Sequence, residues 1–432
     1  MADIPGGNVC PWLQDLPESF ECWPAPVACS HGDQQLTPAI TPSDIDRTDD
    51  SASPKKRPRH HGEDVELTPR PPRRSVRASS STSTSSRSPS PLKRQLMTLR
   101  LDEHGLVFRQ LQIDKPPPIP AAVDLFSDLG DIGNGIEILP EDLRVSITNG
   151  LSIRGPTARA WRYSFKTDDS RNLPGRVPST QAIILVSEWA KRCHEAEHEE
   201  AAWGEEVHHR LLEAIFRDSG TSKGDKFDFT SCQTARPHQR WLLQSGRANM
   251  IDKCIYYDTS EDIGYAQALR ELARHTPTLT VNHTDFMPLQ LQIIVVSIEA
   301  KKRGGRPDAK LQMGTWHAAQ WAFLRWAVLA ALQRSKPDED PSLLEQQADE
   351  NLSQLPFLVG IIVEGHSWAF ALSTREESKT ILWEDHRFGT TENHLGIYKS
   401  VAGVRRITVY AKELYVPWFQ KYILEGFGIN NL

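Results

Sequence analysis

The stretch Ile293-Ile294-Val295-Val296-Ser297-Ile298-Glu299-Ala300-Lys301 is an apolar run that ends in two charges. Its β-branched content and its length point to a fully buried strand within Leu291–Lys301 rather than a helix. Residues two apart on a strand share a face, so Glu299 and Lys301 project together. Burying a carboxylate and an ammonium is costly unless they are paired or used, which marks this strand end as a place where chemistry happens. The residues that follow, Lys302-Arg303-Gly304-Gly305-Arg306-Pro307, form a basic loop suited to touching phosphates. Upstream, Asp252 interrupts a second apolar segment, Met250–Tyr257, also read as a strand. If the two strands pair, Asp252 and Glu299 can share one cation.

Around these strands the spacing is that of a mixed helix and strand domain. Thr180–Glu200 carries apolar residues at helical spacing, and Glu205–Phe216 continues it after Gly204. Ala309–Leu332 reads as a long buried helix. His317, Gln320 and Arg325 interrupt its apolar run, so it does not read as a membrane span. Phe357–Ser373 and Lys379–Asp385 read as strands with a turn at Gly365-His366, and a last helix runs through Pro417–Leu424. Ten of the twelve tryptophans lie beyond residue 150. These features give an α/β fold, a central mixed β-sheet flanked by helices, over residues 135–428.

The net charge of −6 hides an uneven distribution. Residues 1–50 carry nine acids and one base, residues 51–100 twelve bases and three acids, and the remainder is net acidic. A net-acidic domain does not present a broad nucleic-acid surface, though a local basic groove is compatible with it. Residues 31–115 read as a long disordered Ser/Pro-rich basic tail, because runs such as Ser79–Ser86 offer nothing apolar to offset the entropy of ordering. Ser53-Pro54, Thr68-Pro69, Ser88-Pro89 and Ser90-Pro91 are candidate phosphorylation sites. Lys55, Lys56, Arg57 and Arg59 form a compact basic cluster of the kind an import receptor reads, which places the protein in the nucleus or, failing that, the cytoplasm. Residues 1–30 hold a short apolar segment, Trp12, Leu13, Leu16, Phe20 and Trp23. The N-terminus lacks the basic and apolar regions of a secretory signal, and no run of 18 apolar residues suggests a membrane span. Six scattered cysteines do not make a disulfide scaffold, and Cys10, Cys22, Cys29 and His31 match no zinc spacing.

Asp, then Glu-x-Lys on the following strand, then a helix, resembles the active-site pattern of the PD-(D/E)XK nuclease superfamily. Glu205–Leu212, Val281–Asp285 and Leu311–Trp321 extend the likeness to the PD-(D/E)XK nuclease-like domain of fungal proteins. The resemblance implies a restriction-endonuclease-like core and hydrolysis of nucleic-acid phosphodiester bonds, with DNA ahead of RNA as partner. It also implies Mg²⁺ or Mn²⁺ held by Asp252, Glu299 and the Ala300 carbonyl, hard oxygen ligands for a hard cation. Lys301 would position or deprotonate the attacking water, and Gln312, at the start of the next helix, would join the site.

The sequence departs from that pattern in places. Trp316 stands where one branch of the superfamily has a Gln-x-x-x-Tyr tyrosine, and it reads as core packing. Lys253 follows Asp252 where an apolar residue is expected, and it reads as a partner that weakens metal binding there. Asp285 competes with Asp252 for the metal, although Asn282-His283-Thr284-Asp285 has the composition of a turn. Glu206 and Glu213 are candidates for the acidic residue superfamily members often place on the first helix, but both fall off its apolar stripe. His208 and His209 are candidate ligands too, with a surface or capping histidine the commoner outcome. Glu384-Asp385-His386 is not a metal cluster, because neighbours on a strand alternate faces. No phosphate loop, His-Glu-x-x-His or Gly-x-Ser-x-Gly motif occurs. A nuclease fold kept as a binding module with little catalysis, for nucleic acid or a protein partner, is the alternative. A domain serving only as scaffold for a working tail is a third reading.

Overall fold

Among the described residues nine strands form in chain order: β1 Leu106–Gln110, β2 Leu139–Pro140, β3 Phe165–Lys166, β4 Phe227–Ser231, β5 Lys253–Tyr257, β6 Ile293–Lys301, β7 Leu358–Glu364, β8 Ser367–Glu376 and β9 Lys379–Thr390. Seven of them build one mixed sheet in the order β1-β9-β8-β7-β6-β5-β4, and β2 pairs with β3 apart from it. This computed structural model describes residues 91–112, 119–167, 173–243 and 249–429. The apolar segment of residues 1–30, the tail as far as residue 90, Lys55, Lys56, Arg57, Arg59 and the Cys10–His31 group lie outside the described residues.

The helices are α1 Pro91–Leu101, α2 Pro120–Asn134, α3 Arg144–Gly150, α4 Pro156–Ala160, α5 Thr180–Glu195, α6 Glu200–Trp203, α7 Arg210–Phe216, α8 Ile263–His275, α9 Arg306–Ser335, α10 Pro341–Ser353, α11 His394–Tyr410 and α12 Val416–Tyr422. β6 is buried from Ile293 through Ala300, as its unbroken apolar run requires. It pairs antiparallel with β5 and parallel with β7. A parallel neighbour needs a crossover, and α9 with α10 supplies it. α9 lies so close to β7 that a Cβ at Gly360 would sit 2.7 Å from Met313 Sδ. On the opposite face of β8, Trp368 meets His208 of the segment before α7. The sheet is therefore covered on both sides at these positions. Gly365, at φ 56°, makes the turn from β7 to β8, and its N–H donates to the Lys301 carbonyl (2.9 Å).

The mixed sheet flanked by helices is the architecture read from the sequence, but several boundaries move. The folded region begins well before residue 135. α1, β1 and α2 precede it, and β1 completes the sheet by pairing parallel with β9. The helix expected over Thr180–Glu200 stops at Glu195, and Glu200 begins a separate short helix. The second helix opens with a π-helical stretch, Gly204–His209. β5 starts at Lys253, so Asp252 stands just before the strand instead of within it. The sequence spacing does not disclose α8, α10 or α11. α11 is packed on nearly every side and rich in glycine and β-branched residues, so it shows neither an amphipathic stripe nor helical propensity. Among the described residues no helix is long and apolar enough to cross a membrane.

Candidate active site

Antiparallel pairing of β5 with β6 sets Lys253 opposite Ile298. One residue earlier, Asp252 donates its N–H to the Ile298 carbonyl (3.2 Å), and its Oδ2 accepts from the Ala300 N–H (2.7 Å). The aspartate thereby caps the β6 ladder where β5 has ended. Its own carbonyl accepts from the Cys232 N–H (2.7 Å), which ties it to the chain leaving β4. Glu299 is fully buried, and Lys301 Nζ lies 2.6 Å from its Oε1. The same ammonium donates to Glu200 Oε1 (2.9 Å), at the first residue of α6, and to the Ala300 carbonyl (3.1 Å). Asp252, Glu299, Ala300, Lys301 and Glu200 thus meet at one strand end.

Three carboxylates here face one ammonium. Burial raises Glu299 well above the usual carboxylate range, and repulsion from Asp252 adds to it, while Lys301 pulls the other way. Burial likewise raises Asp252, against the hydrogen bond from Ala300. Burial alone would pull Lys301 down, but Glu299, Glu200 and Asp252 outweigh it and hold the group above its ordinary value. The electrostatic influences on Glu299 come from Asp252, Lys301 and Glu200, whereas Asp285 stands exposed in its loop. Lys253 does not turn to Asp252. It is buried, with Nζ 3.1 Å from Glu205 Oε1 and 3.0 Å from Ser231 Oγ.

Gln312 is half-buried and donates to the Met250 carbonyl (3.2 Å), two residues before Asp252. It holds the approach to the aspartate. Trp316 is fully buried beside Cys232, Cys254 and Ile294, edge-on to His283 at 4.4 Å between ring centroids. Glu206 is engaged by Arg210 (2.6 Å), and Glu213 is exposed. His208 is not a surface or capping residue but is buried between Trp203 and Trp368, while His209 meets Phe229. Glu384 and Asp385 do converge, contrary to strict alternation. The register of β9 shifts there, Asp385 takes φ 81°, and Arg306 reaches both, with Nη2 2.6 Å from Asp385 Oδ1 and Nε 3.6 Å from Glu384 Oε2. His386 turns away to Phe126.

A family model described as PD-(D/E)XK nuclease superfamily matches residues 152–416, more than half of the chain. The chain belongs to the PD-(D/E)XK nuclease superfamily. No curated protein matches it, and no solved structure does. Superfamily nucleases use divalent metals, and the donor set here suits one. Glu299 Oε2 is buried with no hydrogen-bond partner, and the surrounding donors are hard oxygens with a net negative charge. Among the described residues no three His, Cys, Asp or Glu side chains form a ready cage, so the Ala300 carbonyl would complete the set with Asp252 and Glu299. Glu200 is the residue that the sequence reading missed. The acidic candidates that the sequence offers on the first helix are Glu206 and Glu213, and both lie after Gly204 rather than before it. The available signal was the pair Glu199-Glu200 ahead of a break in the helical register, matching in charge the pair Lys301-Lys302.

Proposed function

We propose that the protein is a metal-dependent nuclease that hydrolyses nucleic-acid phosphodiester bonds, DNA before RNA, at the Asp252–Glu299–Lys301 site. The observation that carries this reading is Glu299, a fully buried carboxylate with one oxygen unpartnered, beside Asp252 and a lysine. Asp252, Glu299 and the Ala300 carbonyl would hold Mg²⁺ or Mn²⁺. When bound, the ion supplies positive charge for the extra negative charge that develops at phosphorus and acidifies water. Lys301 is kept as an ammonium by its carboxylate neighbours, so its assigned role is to orient water and neutralise phosphate oxygens, not to abstract a proton. Glu200 positions that ammonium. Gln312 acts through the Met250 backbone on the placement of Asp252.

The test is cleavage of labelled DNA and RNA by the full chain with Mg²⁺ or Mn²⁺. Asp252→Asn and Glu299→Gln should each lower the rate by roughly 100-fold or more, the scale of losing one main electrostatic element. Undiminished cleavage by either folded variant would remove that residue from the site. The second reading, a binding module, is favoured by the use of Gln312 on backbone and by the burial of Trp316. It requires nucleic-acid affinity that persists in EDTA and no turnover. For the basic cluster Lys55, Lys56, Arg57 and Arg59 we propose recognition by an import receptor. A fluorescent fusion that enters nuclei equally well with all four replaced by alanine would end that idea.

A further inference from the structure

Two of the three oxygens that contact Lys301 Nζ belong to groups, the Glu299 carboxylate and the Ala300 carbonyl, that the proposed metal also needs. Nζ lies 2.6 Å from Glu299 Oε1 and 3.1 Å from the Ala300 carbonyl, while its third partner, Glu200 Oε1 at 2.9 Å, is on α6 at the rim. An ammonium seated against both groups stands beside any divalent ion that uses them, one on the unpartnered Glu299 Oε2 included, and the two like charges repel. We propose that Lys301 is the built-in counter-ion of the cation site, and that loading the metal is an exchange in which its ammonium leaves Glu299 and Ala300 and is retained by Glu200. The inference rests on the metal-dependent reading of the site and adds the order of events at it.

Burial explains why a resident cation is there. The Glu299 side chain is 1% exposed, and an ionised carboxylate at such a site is heavily penalised unless a cation stands beside it. Geometry explains where the ammonium goes. The Lys301 side chain is 14% exposed and that of Glu200 38%, so an outward swing toward Glu200 leads to solvent rather than through the core. A second pair, Lys302 Nζ with Glu199 Oε2 at 3.4 Å, holds α6 beside the end of β6 while Lys301 moves. That pair is well exposed and touches none of the proposed metal oxygens, so it serves as a control of equal charge.

The experiment is calorimetric titration of Ca²⁺, and separately of Mn²⁺, into the full chain without nucleic acid. It compares the wild type with Lys301→Met, which keeps the aliphatic stem, with Lys302→Met, Glu200→Gln and the Lys301→Met/Glu200→Gln double variant. Lys301→Met should bind roughly tenfold tighter than wild type, an ordinary coupling for two cations competing for one position. Lys302→Met should change little. Glu200→Gln should weaken binding several-fold in the wild type and not at all on top of Lys301→Met, because Glu200 acts through the lysine. Affinity unchanged or reduced in Lys301→Met, or a Glu200→Gln effect that persists without the lysine, overturns the exchange while leaving the metal site standing. Absence of metal binding in wild type and every folded variant overturns the metal reading, and the exchange with it. Should Lys301→Met not fold, lysine-selective acetylation of the wild type followed by mass spectrometry decides. Ca²⁺ should raise the labelling of Lys301 several-fold, and protection or no change would refute the swing.

Discussion

A few buried ionisable side chains set how this protein responds to acid. His208, His283 and His317 are fully buried, and burial depresses each from the usual 6.5 to about 3. The unfolded chain protonates them near 6.5, so their contribution to stability is complete above that pH and is lost as pH falls from 6.5 toward 3. Where all three take up protons only on unfolding, the slope reaches about 4 kcal/mol per pH unit. Asp252 and Glu299 carry the opposite sign. Their raised values make the native state hold protons more tightly, so their contribution favours folding in acid and fades as pH rises from the ordinary carboxylate range. Urea unfolding at pH 7, 6 and 5 should show stability falling below 6.5, with a shallower slope in His208→Phe. A flat profile from 7 to 5 would refute the account. Glu299 and Lys301 were legible in the sequence because charge at the end of a β-branched run has no bland explanation. Glu200 was not, because it meets Lys301 only through folding over a separation of 101 residues.

At the scale of elements, periodicity revealed what is buried on one face or in one uninterrupted run, and little else. β6 and α9 were readable for that reason, and α11 was not. Breaks in register also escaped. The π-helical stretch Gly204–His209 carries a side chain to the buried Lys253, and the shifted register of β9 brings two neighbouring side chains to one partner where strict alternation would separate them. Glu205 reaches Lys253 from the first, and Glu384 and Asp385 meet Arg306 from the second. β1 was missed because five residues after a basic, proline-rich stretch carry too short a pattern. Its structural share is nonetheless large. Leu99 of α1 and Leu106 of β1 are fully buried with Leu382 and Met313. A fragment beginning at residue 130 should therefore be insoluble or melt well below the full chain, whereas one beginning at residue 84 should melt like it. Equal melting temperatures for all three by circular dichroism would show that α1 and β1 are dispensable.

Across the whole molecule, the sequence divides into a basic, proline-rich stretch and a net-acidic domain, and the candidate chemistry lies in the domain. Composition predicts that division, but it places the boundary too late, because polar residues near a border say nothing of long-range pairing. The pairing of β1 with β9 joins the beginning of the described domain to nearly its end. Arg109 grips Glu376 with two hydrogen bonds, 267 residues along the chain. On the ribosome, β1 emerges among the first parts of the domain and its partner among the last. Its edge stays unmatched for most of translation, and closing so wide a loop is slow. The central sheet is therefore completed only after nearly the whole chain has been made, and a nascent chain stalled before residue 380 carries an orphaned Leu-Val-Phe strand that chaperones must shield.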